Sequence, residues 1–159
     1  MITLRDYAAD RDSARLRDCL IERQNSEREL EPGKPEGSTI ADEYLDRMFA
    51  RCRKWDGKVF VDEVSGQVVG FVCVWAKVKP DEPDDDPSEY AFVSDLVVLP
   101  GHGRRGVGRA LLAMAERHAR SRGARSLRIG VLARNATARH LYGSAGFSDY
   151  EVELEKRLV

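Results

Sequence analysis

The 159-residue chain is predicted to fold as one α/β (α+β) domain over residues 1–159. Its expected architecture is a mixed, mostly antiparallel central sheet flanked by helices, in the order β-α-α-β-β-β-α-β-α-β. Two observations lead there. The apolar period is helical in two stretches of the first 55 residues, turns to the strand period from Lys58 to Leu99, and then alternates between the two. A composition of 42% hydrophobic and 33% charged residues is that of a soluble globular protein with one core.

Each element has its own signal. "MITLR" alternates as a short strand. "DRDSARLRDCLIERQ" reads as a helix, with Asp10 or Asp12 as its cap and Leu16, Leu20 and Ile21 on one face. "NSERELEPGKPEG", within the link from Gln24 to Gly37 between the first two helices, is expected to be a polar connection. In "STIADEYLDRMFARC", Ser38 or Thr39 would cap a helix that sets Tyr44, Leu45, Met48, Phe49 and Cys52 at helical spacing. "KVFVDE", a Ser65-Gly66 turn and "QVVGFVCVWAKV" form a hairpin. "PDEPDDDPSE" breaks it, and "YAFVSDLVVL" is the fourth strand.

Beyond that strand, Val107, Ala110, Leu111, Met114, Ala115 and Ala119 line one helical face, stopped by Gly123. "SLRIGVL" is a strand, Asn135 caps a short helix ended by Gly146, and "FSDYEVELEKRL" is expected to close the chain as a strand.

Several function classes are excluded by composition. "VVGFVCVWAKV" is too short to span a bilayer, and no charged-then-apolar leader opens the chain, so a cytoplasmic protein without membrane partners is expected. Cys19, Cys52 and Cys73 are odd in number and widely spaced, which fits neither a disulfide framework nor a zinc site; no metal is expected. The net charge of -1 hides a polarity. Met1 to Val98 carries 14 basic and 22 acidic residues, whereas Leu99 to Val159 carries 12 basic and 5 acidic. Such a field gathers anions. Nucleic acid is disfavoured, because the basic segment from Gly101 to Tyr142 holds one aromatic and the acidic half would repel a phosphate backbone. A small polyphosphate ligand fits better.

The stretch "VVLPGHGRRGVGRALL" contains Gly101-x-Gly103-x-x-Gly106, the spelling of a dinucleotide-binding turn. Context argues against that reading. The preceding strands form an antiparallel meander, too few βα units follow, and arginines occupy the zone where a ribose-binding acid should stand. No Gly-Lys-Ser/Thr follows, so a P-loop is excluded. A strand that turns into a helix through glycines nevertheless presents free backbone N–H groups at the positive end of a helix dipole. Gly106 and Gly108 would let an oxyanion approach, and Arg104, Arg105 and Arg109 would add charge.

"LVVLPGHGRRGVGRALL" resembles the acyl-CoA pyrophosphate loop of the GNAT superfamily of N-acyltransferases, and "NATARHLYGSAGF" resembles that family's second signature. The resemblance covers nearly the whole chain. It implies a sheet splayed between its fourth and fifth strands, with acetyl-CoA as cosubstrate in the gap. It departs at Gly103, where the motif has Gln or Arg. By this resemblance the cofactor contacts are Leu96, Val97, Val98, Gly103, Arg104, Arg105, Gly106, Val107, Gly108, Arg109, Asn135 and Tyr142. Leu96, Val97 and Val98 would pair with the pantetheine arm as a strand would. Tyr142 would protonate the departing thiolate, and a Val97 or Val98 N–H would serve the oxyanion.

The general base is less determined. Relatives that acetylate ribosomal-protein N-termini carry a glutamate on the fifth strand where this chain has Gly130. On the fourth strand, alternation sets Glu89 and Asp95 on one face with Tyr90, Phe92 and Ser94 on the other, and Asp95 is the candidate base, acting through a water. His102 and His140 are read as surface residues. The acidic run between Asp81 and Glu89 would form a rim attracting a cationic amine, or be a solvated loop. Three readings follow: an N-acetyltransferase of a small-molecule amine, one acting on protein N-termini or lysines, and a non-catalytic acyl-CoA-binding sensor. A homodimer through the sheet edge or last strand is compatible with each.

Overall fold

The computed structural model describes residues 1–103 and 105–159. Among them the elements are β1 (Leu4–Asp6), α1 (Ala9–Leu30), α2 (Gly37–Lys54), β2 (Lys58–Val64), β3 (Gln67–Val78), β4 (Tyr90–Val98), α3 (Val107–Ser121), β5 (Leu127–Ile129) and α4 (Ala136–Ser144). The strands lie side by side in sequence order. The first four are antiparallel neighbours and β5 joins parallel to β4, as a strand–helix–strand crossover through α3 requires. Ser65 and Gly66 turn the β2–β3 hairpin with positive φ at both residues, 51° and 79°.

The two faces of the sheet are covered separately. On one, Leu16, Cys19, Met48 and Cys52 of α1 and α2 pack on Val61, Phe71, Cys73 and Trp75. On the other, Val107, Leu111, Leu112, Ala115 and Ala119 of α3 pack on Phe60, Val72, Val74, Ala91 and Val93. Each fully buried large apolar side chain contributes about 1.5–3 kcal/mol.

Three expectations are corrected. First, α1 continues to Leu30, so the connection to α2 is short. The helix formers Glu27, Arg28, Glu29 and Leu30 extend it, and its last turns close the connection: Gln24 Nε2 donates to the Pro35 carbonyl at 3.0 Å and Arg28 Nε to that of Lys34 at 2.9 Å. Second, helix starts are capped from elsewhere. Asp12 Oδ2 accepts the Ala8 N–H at 2.9 Å while gripping Arg5 with both oxygens at 2.7 and 2.8 Å. The Gly37 N–H that begins α2 donates to Asn25 Oδ1 at 2.9 Å, in place of a Ser38 or Thr39 cap.

Third, the expected last strand does not form. Past Phe147 the chain has no regular structure, with Asp149 held by Arg139 at 3.1 Å and the Tyr150 hydroxyl by Arg128 at 3.1 Å. A strand-period segment needs a ladder to join. The neighbouring β5 is only Leu127–Ile129.

A β-bulge positions the site. Cys73 stands opposite Asp95, but the next residue of β3, Val74, stands opposite Val93, which leaves Ser94 as the extra residue. Side-chain alternation therefore slips by one. Ala91 and Val93 pack with α3, whereas Asp95 crosses to the face of Tyr90 and Phe92, under α1 and α2. The sequence expectation that opposed Asp95 to Tyr90 and Phe92 is reversed by this one residue.

Candidate active site

β4 and β5 pair only at Ala91–Leu127, Phe92–Arg128 and Val93–Ile129. β4 then runs on to Val98 with a free edge, which is the expected splay. The Leu99 N–H donates to the Val69 carbonyl of β3 at 2.8 Å. Antiparallel alternation then turns the backbone of Val97 toward β3 as well, and that of Leu96 and Val98 into the gap. Of the three residues expected to face a ligand there, Leu96 and Val98 do so and Val97 does not. Gly130, just past β5, has no atom within 4 Å of where a Cβ would stand, so this part of the gap is open.

The gap ends at the start of α3. Its N-cap, Gly106, has φ 78° and ψ 10°, and no side chain caps the terminus. The first helical bond into this turn is Ala110 N–H to the Gly106 carbonyl at 2.9 Å. The N–H groups of Val107, Gly108 and Arg109 thus lack an intrahelical partner, at the positive end of the dipole. Arg104 lies outside the described residues. Arg105 is exposed and meets His102 Nδ1 at 3.1 Å, and Gly103 has open space around it. His140 is exposed, as expected.

Two loop residues serve the fold differently from expectation. The Cβ that Gly108 lacks would point at Leu141 Cδ2, 3.0 Å away, so the missing side chain lets α4 pack close to α3. The Arg109 guanidinium donates to Ser144, at 2.7 Å to its hydroxyl and 3.2 Å to its carbonyl, and ties α3 to α4. The Val107 side chain is core.

α4 supplies the opposite wall. Asn135 caps it, its side chain accepting the Ala138 N–H at 3.1 Å. Tyr142 packs edge-on against Phe147, with ring centroids 6.0 Å apart. Burial, then the negative charge of Glu27, pushes the Tyr142 hydroxyl up to about 12. It therefore stays protonated at neutral pH, as a proton donor must.

Asp95 is fully enclosed. It accepts from the Tyr44 hydroxyl at 2.7 Å and from Ser94 Oγ at 2.9 Å, with Arg23 at 3.5 Å. Burial pushes its carboxyl up, against the pull of Arg23 and the two hydroxyl donors. None of its side chain is exposed, and Tyr44, Ser94 and Arg23 surround it.

Sequence reasoning missed those neighbours. Arg23 lies 4.9 Å from the centroid of the Tyr44 ring and 3.6 Å from Glu27, which in turn meets Lys34 at 3.1 Å. The available signal was Arg23-x-x-x-Glu27, an i,i+4 ion pair on a helix. The acidic run before β4 is an exposed, irregular loop, and the strand from Tyr90 to Asp95 that follows it spans about 17 Å. Among the described residues no three potential metal ligands converge, and no helix is long and apolar enough to cross a membrane.

A strand edge opened beside a parallel neighbour, an uncapped glycine-led helix start at its end and a half-buried tyrosine across from it define the fold class of the acyl-CoA N-acyltransferases. The chain belongs to the acetyltransferase (GNAT) family, whose model matches residues 22–147. Among its relatives, the uncharacterized N-acetyltransferase YycN of Bacillus subtilis (strain 168) is 33% identical over 91 residues, 57% of this chain and 54% of that protein. The mycothiol acetyltransferase of Cellulomonas flavigena is 37% identical over 97 residues, 58% of this chain and 27% of that protein. The chain thus spans about half, or less, of the length of these relatives. A solved structure of AAC(6')-Iy, in complex with the bisubstrate analogue CoA-S-monomethyl-acetylneamine, superposes with a TM-score of 0.69 at 20% identity, over 99% of this chain and 97% of that one. That likeness is one of fold.

Proposed function

We propose that this protein transfers the acetyl group of acetyl-CoA to the primary amine of a small molecule, by direct attack of the amine on the thioester. The observation that carries the reading is the free edge of β4 at Leu96 and Val98, leading straight to the uncapped start of α3. An extended amide-bearing arm can pair with Leu96 and Val98 as an added strand, which leaves its pyrophosphate at the N–H groups of residues 107–109. Acetyl-CoA supplies an activated acetyl thioester.

In this reading a Leu96 or Val98 N–H directed into the gap donates to the carbonyl oxygen as negative charge develops there. Tyr142 gives its proton to the departing sulfur. Asp95 holds Arg23 and Tyr44 in place and takes no proton itself. Arg134, in the β5–α4 loop, donates to the Leu30 carbonyl at 2.8 Å and so ties that loop to the end of α1. The relative named as a mycothiol acetyltransferase supports a small-molecule acceptor.

The test is thiol release from acetyl-CoA with neamine, spermidine, glucosamine and an Ala-led tetrapeptide, beside calorimetric binding of CoA. Turnover of one of the three small amines above the peptide is expected. Preference for the peptide would move the acceptor to protein N-termini. Tight CoA binding without turnover would favour the sensor reading, and no CoA binding would overturn the reading of the β4 edge.

A further inference from the structure

Asp95 is sealed and Gly130 has no side chain, so the acceptor's proton needs another destination. The stripe Arg23, Glu27, Glu31 runs down α1 at four-residue spacing. One end touches β4, through Arg23 and Asp95 at 3.5 Å, and the other touches the β5–α4 loop, through Glu31 and Arg134 at 3.6 Å. Glu27 lies between these contacts and so spans the splay from β4 to the loop that begins α4.

Its carboxylate is positioned but not filled. Lys34 Nζ stands 3.1 Å from Oε2, and Arg23 stands 3.6 Å from Oε1, beyond hydrogen-bond reach. An ionised carboxylate has room for about four donors. Its side chain is 23% exposed, against none for Asp95, so an entering amine can meet it.

Resting on the acetyl-transfer reading above, we infer that Glu27 is the general base, binding the acceptor's ammonium through Oε1 and taking its proton. The step balances. The ammonium gives one proton to Glu27 and becomes a neutral amine. Its nitrogen lone pair forms the C–N bond, and the C–S bond breaks with its electron pair on sulfur. Tyr142 protonates that sulfur and recovers a proton from the acylated nitrogen, and Glu27 releases its own to water. The charged and titratable groups around Glu27 are Arg23 on the same helix, Lys34 in the α1–α2 turn, Tyr44 of α2, Asp95 of β4 and Tyr142 of α4.

The experiment compares wild type and Glu27→Gln with acetyl-CoA, across pH, on two kinds of nucleophile. One is the preferred amine among neamine, spermidine and glucosamine; the other is hydroxylamine, which is already neutral at pH 7. With the protonated amine, Glu27→Gln is expected to lose about 100-fold in kcat/KM at pH 7 and to recover as pH rises toward the amine's own ionisation. With hydroxylamine it should stay within about threefold of wild type, and CoA affinity should not move. Equal losses on both nucleophiles, or an unchanged pH profile, would overturn the assignment while leaving acetyl transfer intact. Thiol release with none of them by the wild type would overturn the acetyl-transfer reading and this inference together.

Discussion

The two glycines at the start of α3 have different physical reasons, and substituting each by alanine separates them. Gly106 sits at φ 78°, where a residue bearing Cβ pays about 1–2 kcal/mol. Space is not the issue there, since its nearest neighbour would be Ile2 Cδ1 at 3.9 Å. Gly108 lies within the helix, where alanine gains up to about 1 kcal/mol over glycine. Against that gain stands the 3.0 Å approach to Leu141 Cδ2, the end of a flexible side chain that can give by a few tenths of an ångström.

Gly106→Ala is therefore expected to unfold in urea about 1–2 kcal/mol more easily, a drop of roughly 2–8 °C in melting temperature, and Gly108→Ala to stay within about 0.5 kcal/mol of wild type. Calorimetry with CoA should show Gly106→Ala weakened about tenfold or more, because the same turn aims the N–H groups of 107–109. A Gly106→Ala protein with wild-type stability and CoA affinity would refute the left-handed turn as the reason for that glycine. A Gly108→Ala protein less stable than Gly106→Ala would mean that Leu141 is rigid and that Gly108 is there for space.

Tyr142→Phe keeps the ring packed on Phe147 and removes only the hydroxyl; kcat for acetyl transfer should fall about 100-fold with CoA affinity unchanged, and an unaffected kcat would exclude it as the acid. Tyr44→Phe removes a 2.7 Å donor from buried Asp95 and should cost about 1–3 kcal/mol in urea unfolding. Asp12→Asn should cost about 1–3 kcal/mol at pH 7, because it removes the carboxylate that grips Arg5 with both oxygens and leaves Arg5 to Glu63. The hydrogen bond from Arg5 holds the Asp12 carboxyl below its ordinary value, so its stabilisation is complete above the unfolded carboxylate range and is lost as pH falls through the lowered folded value. The gap between wild type and Asp12→Asn should then narrow in acid, and a gap independent of pH would contradict the ion pair.

The fold and the glycine-led start of α3 were legible because they rest on local rules. The helical stripe of α3, the Ser65-Gly66 hairpin, the Asn135 cap and the glycine-led start of α3 each follow from a few neighbouring residues. Their spacing was enough to indicate the family. The catalytic side was not legible, because no local pattern announces a bulge. The extra residue at Ser94 turns Asp95 under Tyr44 and Arg23, and only the pairing of β3 with β4 decides that.

The same holds at both ends of the gap. Only the tertiary structure shows that Arg109 donates to Ser144 of α4 and that Gly108 leaves room for Leu141. The tail from Tyr150 has the alternation of a strand, yet a ladder needs a partner edge, and β5 presents three residues. Local chemistry decided which elements form and where free helix-start N–H groups stand. Register, burial and the approach of distant helices decided which charged groups are sealed and which remain exposed, because those depend on contacts between residues far apart in the chain, 72 positions between Arg23 and Asp95 and 104 between Leu30 and Arg134.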